Sequence, residues 1–235
     1  MQISIFVSVW ADGDFHDAVA GYFLGKPLDM LVANDDVVSV EHYKPLANDL
    51  PPMDDVPSPS AIIEIHVKTV EDAQNLIKSS AFEHSFIKLT ELTAPWKRVH
   101  LELFDTVHYP ISGLQQIPPR NARLSFVVRY YGAPSHQREF IKFYTLNHPP
   151  LLAQFPGIRN VICYLPLDID VGIEINQEHT ILGNEVVFDD LDGLSAALDS
   201  EAMLAVMEDS AEFPTFTYSS HHVMLRTLVH SCGRD

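Results

Sequence analysis

The stretch SIFVSVW, residues 4–10, has a counterpart in SFVVRYY, residues 125–131, at a distance of 121 positions. Three further pairs align at the same offset with hardly a gap: VEHYKP with VICYLP (40–45 and 161–166), residues 64–82 with 185–203, and His100 with His221. Few residues are identical, but one offset serves every pair. The sequence therefore predicts two copies of one unit, a first repeat over residues 1–118 and a second over 119–235.

Each unit contains the same order of predicted elements, strand–helix–strand–strand–helix–strand. Apolar, β-branched and aromatic runs predict the strands, at 3–10, 37–43, 61–67 and 99–108 in the first unit and 124–131, 158–165, 184–188 and 216–230 in the second. Helices are predicted at 14–33, 70–82, 135–154 and 191–207, with Asp14, Thr69, Ser135 and Asp190 as N-caps. This order is the ferredoxin-like βαββαβ arrangement.

A single βαββαβ unit has both helices on one face of an antiparallel sheet and leaves the other face bare. A bare sheet face must be covered, and two units can cover each other. The predicted fold is therefore α+β, with two ferredoxin-like repeats whose antiparallel sheets pack into an intramolecular αβ barrel.

The alternation of side chains along the strands predicts which residues enter the barrel. Ile3, Ile5, Val7 and Val9 form an aliphatic set that suits a helix-covered face, so the opposite face is expected to point inward. The ionisable groups expected inside are Arg129, Glu64, Glu185, His66, His100, Glu102 and His221. Buried charges need partners, which leaves two alternatives, a paired polar interface and a ligand cavity. Trp10 and Tyr131, as aromatic walls, favour a substrate-binding cavity.

The charge of the chain excludes some partners. Fifteen Lys and Arg residues stand against 32 Asp and Glu residues, for a formal net charge of −17. Such a surface is repelled by nucleic acid and by anionic membrane surfaces. The two cysteines have no metal-binding spacing, and no apolar run is long enough to span a bilayer. We expect a cytoplasmic protein that binds neither nucleic acid nor membrane.

His148 is followed at once by two prolines within the helix predicted at 135–154. Pro149 and Pro150 remove two backbone donors, and Pro149 disfavours helical geometry at His148, so a break in the helix is expected there. Phe140, Tyr144 and His148 are spaced to share the stripe that faces the sheet. A histidine in this place suits general acid–base catalysis, and a satisfied core histidine is the alternative.

The segment that begins with Phe140 and Tyr144, continues through His148-Pro149-Pro150-Leu151 and ends at Phe155-Pro156-Gly157 resembles the hallmark of the EthD family. That family belongs to the dimeric α/β-barrel superfamily, and its pattern has an F-x-x-Y/W helix, an H-x-P-L segment and then P-G before the second strand. The resemblance covers about residues 123–230. The first half departs from it, because Lys26-Pro27 replaces the His-Pro pair and Asp36 replaces the glycine. The resemblance thus implies one intact site.

The EthD family includes proteins tied to ether degradation, cofactor-free monooxygenases, and dehydratases or decarboxylases of polyketide pathways. The resemblance implies a cofactor-independent enzyme that acts on a small hydrophobic molecule, aromatic or polyketide-like. In this hypothesis His148 is the acid/base, Tyr144 orients it, and Arg129 stabilises an enolate or phenolate oxygen. The expected substrate-binding residues are Trp10, Tyr131, Glu64, His66, Glu185, His100 and His221.

Two further hypotheses remain open from the sequence. One is a non-catalytic ligand-binding or stress-associated barrel, and the other is a haem-binding barrel with a histidine as axial ligand. No metal site is predicted, no cofactor is expected with haem as the minor alternative, and a homo-oligomer of the two-repeat chain is left open.

Overall fold

The computed structural model of the chain describes residues 2–11, 16–23, 26–47, 56–87, 96–111, 123–169 and 179–231. The strands are β1 (Ile3–Ala11), β2 (Val37–Pro45), β3 (Ala61–Val67), β4 (Trp96–Tyr109), β5 (Leu124–Tyr131), β6 (Asn160–Pro166), β7 (Thr180–Phe188) and β8 (Tyr218–Ser231). The helices are α1 (His16–Phe23), α2 (Lys26–Val32), α3 (Val70–Ile77), α4 (Ser80–Phe82), α5 (Pro134–Leu152), α6 (Leu191–Leu198) and α7 (Glu201–Ala211), and a π-helical turn at Glu83–Ile87 follows α4. None of these described helices is long and apolar enough to cross a membrane.

The eight strands form one closed barrel in the order β1-β3-β2-β8-β5-β7-β6-β4. All neighbouring strands are antiparallel. The first half of the chain contributes β4-β1-β3-β2 and the second contributes β8-β5-β7-β6, so two seams join the halves, β2 with β8 and β4 with β6. The predicted α+β fold, an αβ barrel closed within one chain, is confirmed.

The helices cover the outside of the barrel, as the sequence predicted. In the first half the aliphatic set of β1, which includes Ile3 and Val7, is buried against helix residues such as Phe23. Two predicted N-caps are present: Thr69 forms a capping box with Asp72, and Asp190 accepts a hydrogen bond from the backbone of Gly193. The predicted cap Asp14 lies outside the described residues. The prediction of Ser135 is wrong, because α5 begins at Pro134 with Ala133 as its N-cap.

The barrel interior contains aromatic rings and buried carboxylates. The rings of Phe6, Phe104 and Tyr164 pack against one another with centroids 4.8 to 5.8 Å apart. Each half of the chain also places one glutamate inside with the same two hydroxyl donors. Glu64 accepts from Ser4 at 3.0 Å and from Tyr43 at 2.6 Å.

Glu185 has the same arrangement in the second half. It accepts from Ser125 at 2.6 Å and from the hydroxyl of Tyr164. Each of these three residues stands 121 positions after its counterpart in the first half. The offset that aligns the sequences therefore also aligns two sets of side-chain hydrogen bonds.

The offset fails in the last strand of the second half. Ser8 on β1 is opposite His100, whereas Arg129, which stands 121 positions after Ser8, is opposite Ser220 on β8. The structural counterpart of His100 is therefore Ser220, one residue before His221. Because successive side chains of a strand point to opposite faces, the predicted interior placement of His221 is wrong. His222 lies on the inner face instead, and His221 faces the helices.

The predicted break in the helix at His148 is also wrong. Helix α5 continues through Pro149 and Pro150 to Leu152. Pro149 has no N–H for the carbonyl of Thr145, but the hydroxyl of Tyr109 on β4 donates to that carbonyl at 3.1 Å. A tertiary hydrogen bond thus replaces a missing helical one, and this compensation lets the helix tolerate the proline.

We predict that Tyr109→Phe lowers the free energy of unfolding by about 1–2 kcal/mol, because it leaves the Thr145 carbonyl without a donor. The same substitution should cost less in a Pro149→Ala background, where the helix regains its own N–H. Urea unfolding of the two single variants and the double variant measures this coupling. An equal cost of Tyr109→Phe in both backgrounds would contradict the compensation.

Candidate functional site

His148 lies near the end of α5, on the side of the helix that faces the sheet, and is only 4% exposed. Its Nδ1 is 2.8 Å from Oδ2 of Asp209 on α7. A carboxylate only accepts hydrogen bonds, so this contact places the proton of the neutral ring on Nδ1. Nε2 then has its lone pair free, and no described residue is hydrogen-bonded to it.

Aromatic rings hold the imidazole on two sides. The ring centroid of Tyr144, one helical turn earlier, is 4.7 Å from that of His148, and the ring centroid of Phe213 is 4.9 Å away. Burial raises the pKa of Tyr144 well above its usual value, so the phenol stays protonated. Its ring also packs against that of Tyr130 at 5.4 Å, and its hydroxyl is not hydrogen-bonded to the His148 ring. Tyr144 therefore acts on His148 by packing, which fixes the orientation of the ring.

A cavity of about 100 Å³ adjoins His148, between the outer face of the second-half sheet and helices α5, α6 and α7. Its walls are mainly apolar, and they include Phe126, Val128, Leu152, Phe155, Val186 and Val206. Five side chains with polar atoms also line it, those of Tyr130, His148, Asn184, Ser210 and His221. No described residue that lines this cavity is an Asp, Glu, Lys or Arg. The pairing of an apolar cavity with a few polar groups is typical of small-molecule sites.

The environment of His148 favours the neutral imidazole. Burial lowers its pKa below the usual value, and the Asp209 carboxylate opposes this effect in part. A neutral ring with Nδ1–H held by a carboxylate is the form in which a histidine accepts a proton through Nε2. The geometry thus permits general-base chemistry on a molecule in the cavity, followed by return of the proton.

The structure does not bring the three predicted catalytic residues together. Tyr144 and His148 are in contact on α5, but Arg129 points into the barrel, on the opposite face of β5 from Val128 and Tyr130. Its guanidinium lies over the Phe6 ring at 4.6 Å and its Nε is 3.6 Å from Glu102. The proposed role of Arg129 beside His148 is therefore corrected, because a whole sheet separates the two side chains.

The predicted substrate-binding residues are divided in the same way. Of these, Trp10, Tyr131, Glu64, His66, Glu185 and His100 belong to the inner face of the barrel, and His221 alone lines the cavity at His148. Trp10 packs against His100 with centroids 4.9 Å apart, and Tyr131 stacks on Tyr218 at 4.5 Å. The described interior thus corresponds to a paired polar interface, and a role of these six residues in substrate binding stays a prediction.

Asp209 is the functional residue that sequence reasoning missed. It stands 61 positions after His148 and two residues beyond the predicted end of the second helix at 207. The resemblance to the EthD pattern contains no residue of this helix. The sequence indicated only that His148 needs a partner, because a histidine on a buried helical stripe requires a hydrogen bond.

A second cavity, of about 110 Å³, lies at the seam between β4 and β6. Its lining includes Glu102, Asp168 and His179. Within the described part of the chain, His179 is bonded to Gln137 at 2.9 Å and forms no ion pair with either carboxylate. We place the candidate site at His148 because there the imidazole, its carboxylate and the cavity are in direct contact.

Comparison with known proteins identifies the fold. No protein-family model and no curated protein matches the sequence, so the EthD resemblance stays a prediction. The chain is similar to the solved structure of an anthrone oxidase-like protein, with 12% identity and a TM-score of 0.68. The similarity covers 99% of this chain and 96% of that one. A candidate monooxygenase from Fusobacterium nucleatum subsp. nucleatum ATCC 25586 gives 8% identity and a TM-score of 0.59 over 97% of this chain and 93% of its own. Identities this low show a shared dimeric α/β-barrel fold.

The comparisons also correct the cofactor prediction. A chlorite dismutase from Candidatus Nitrospira defluvii shares the fold over 95% of this chain and 90% of its own, with 10% identity and a TM-score of 0.53. Chlorite dismutases are haem proteins. The fold therefore accommodates proteins with a cofactor. The prediction that no cofactor is used is wrong as an inference from the fold.

The described residues at His148 do not fit a haem. A cavity of about 100 Å³ is several times smaller than the pockets of roughly 300–1,000 Å³ that hold larger ligands. Nδ1 of His148 is bonded to Asp209, and Tyr144 and Phe213 pack on the ring. The chemistry that we derive for His148 therefore contains no haem-dependent step.

We predict that an NMR titration gives His148 a pKa below 6.5, and that Asp209→Asn lowers this pKa further because the carboxylate opposes the effect of burial. The unfolded chain then binds the proton more tightly than the folded one. The contribution of His148 to the free energy of unfolding is therefore lost as the pH falls below about 6.5. His148→Gln identifies the resonance, and a pKa at or above 6.5 in the wild type would contradict the neutral form.

Proposed function

We propose that the protein is a small-molecule enzyme of the oxidoreductase type, in which Nε2 of His148 removes a proton from a substrate held in the adjoining cavity and molecular oxygen accepts electrons from the resulting anion. The observation that carries this proposal is the buried His148–Asp209 pair at the wall of an apolar cavity. The carboxylate fixes the tautomer and the ring orientation, as second partners of functional histidines do. Tyr144 and Phe213 keep the ring from rotating.

The lining of the cavity restricts the substrate. No described lining residue is an Asp, Glu, Lys or Arg. A charged ligand would therefore lose its hydration without gaining an ionic partner. A small, uncharged and mostly apolar molecule fits this environment. Asn184 donates to the Ile162 carbonyl at 3.1 Å and Ser210 donates to the Val206 carbonyl at 2.7 Å, so both offer acceptor oxygens to a hydroxyl of the ligand.

The fold supports the reaction type only in general terms. Its solved neighbours include an anthrone oxidase-like protein and candidate monooxygenases. An anthrone is a small organic molecule with an acidic methylene group, and His148 is placed to remove a proton of that kind. An aromatic or polyketide-like substrate, and membership of the EthD family, belong to this proposal.

The two halves are part of the proposal as well. We assign residues 1–118 and 119–235 to a duplicated ferredoxin-like unit, supported by the matching Ser–Glu–Tyr hydrogen bonds at the offset of 121 positions. Only the second half keeps the histidine. In the first half, α2 begins at Lys26 in place of the His-Pro segment. A homo-oligomer of the two-repeat chain stays a prediction.

We predict that oxygen consumption with the small two-ring probe 1-naphthol depends on His148. His148→Ala should reduce the rate by about 100-fold or more, the range expected for loss of a general base. Asp209→Asn should reduce it by roughly 10- to 100-fold, because it releases the ring. An oxygen electrode measures the rates, and circular dichroism checks that each variant is folded.

Matched control variants accompany these substitutions. His136→Ala removes another histidine of α5, and Glu208→Gln neutralises the exposed neighbour of Asp209 on α7; both should keep the wild-type rate. Turnover that survives His148→Ala would contradict the proposal. Binding of 1-naphthol without its turnover would favour the non-catalytic ligand-binding barrel.

A further inference from the structure

Three potential metal ligands meet inside the barrel, on the opposite side of the sheets from the His148 cavity. They are Glu41 on β2 and Glu64 and His66 on β3, with one donor atom from each, all within 4.8 Å of one another. All three side chains are buried, with exposed fractions of 3%, 0% and 1%. Glu41 and Glu64 are directly opposite each other across β2 and β3. Like charges in that position destabilise a sheet unless a cation or a proton lies between them.

The distances suit a metal ion. Nε2 of His66 is 3.2 Å from Oε1 of Glu64 and 3.8 Å from Oε1 of Glu41. Ligand atoms at about 2.1 Å from a tetrahedral metal are about 3.4 Å apart. Oε2 of Glu64 accepts from Tyr43 and Oε2 of Glu41 accepts from Arg226, while Oε1 of Glu64 also accepts from Ser4 at 3.0 Å. One oxygen of each carboxylate is thus turned to the same point as the imidazole nitrogen.

The second half of the chain provides an internal comparison. Glu64 has its counterpart in Glu185, with the same serine and tyrosine bonds. Glu41 and His66, however, correspond to Ile162 and Val187, both fully buried in the apolar interior. Aliphatic side chains therefore satisfy the packing at these two positions. The glutamate and the histidine of the first half need another reason, and ligation supplies one.

The charge of the buried cluster leads to the same conclusion. Among the described residues, Glu41, Glu64 and Glu185 contribute three negative charges, and Arg226 contributes one positive charge, with contacts to Glu41 and, at 3.9 Å, to Glu185. Buried carboxylates need compensating positive charge. A divalent cation at the point shared by the three donors adds such charge beside the guanidinium of Arg226.

We propose that Glu41, Glu64 and His66 bind a divalent first-row transition-metal ion such as Zn²⁺ or Mn²⁺. One imidazole nitrogen with two carboxylate oxygens suits these ions, whereas Ca²⁺ and Mg²⁺ prefer oxygen ligands alone. Nδ1 of His66 is 2.8 Å from Gln2 and 3.0 Å from Ser4. The Ser4 hydroxyl can accept the Nδ1 proton and so leave Nε2 for the metal. The Gln2 amide, whose nitrogen faces Nδ1, must turn its oxygen toward the ring to favour the same tautomer. The sequence had predicted no metal site, because only the register of β2 against β3 places Glu41 opposite Glu64 and near His66.

The test is isothermal titration of chelator-treated full-length protein with ZnCl₂ and with MnCl₂. One ion should bind per chain, and the melting temperature should rise with metal concentration. His66→Val, which installs the residue of the second half, should weaken binding by at least about 10-fold. Glu41→Gln should do the same, so the result does not depend on one variant folding well.

Two control variants separate this site from other metal-binding groups. Glu185→Gln changes the matching glutamate of the second half, and His148→Ala removes the candidate catalytic histidine; each should retain affinity within a few fold. No binding to the wild type, or equal affinity in wild type, His66→Val and Glu41→Gln, overturns the proposal. The cluster is then a buried network of hydrogen bonds and ion pairs without a metal. Neither outcome bears on turnover at His148.

Discussion

Closure of the barrel is the constraint on which the rest of the structure depends. Two seams, β2 with β8 and β4 with β6, complete the hydrogen bonding of both sheets and remove water from their inner faces. Polar groups on those faces must then find partners inside the protein. Glu64 and Glu185 each obtain a serine and a tyrosine hydroxyl, and Arg129 obtains Glu102 and a set of aromatic rings.

The same closure determines where a ligand can bind. The described interior contains aromatic rings and paired charges. The cavity that adjoins His148 and Asp209 lies outside the barrel, under the helices of the second half. Strand β5 separates the two environments, with Arg129 on one face and Val128 and Tyr130 on the other. His148 therefore works with Asp209 from a neighbouring helix and has no access to groups of the barrel interior.

The fold was predictable from the sequence because it depends on features that repeat. Strand periodicity distinguished the aliphatic face of β1 from its mixed face, and the offset of 121 positions identified the second half. What the offset could not show was the loss of one position before β8, which moved His221 to the outer face. Such a shift leaves the sequence alignment almost unchanged but moves every side chain of the strand to the opposite face of the sheet.

The site was only partly predictable because its parts meet through tertiary contacts. The stripe of Tyr144 and His148 follows from helical spacing, but Asp209 comes from a helix 61 positions away. Local preference also failed at Pro149, where the rule that proline breaks a helix was overridden by a hydroxyl from β4.

Because one chain supplies both halves of the barrel, the two halves can differ in sequence. In a barrel assembled from two identical chains, every substitution would occur twice, once on each side of the symmetry axis. Here each substitution occurs once. One half can have Val187 and Ile162 while the other has His66 and Glu41, and one half can hold His148 while the other begins a helix with Lys26. A single barrel can thus specialise its two sides for different tasks.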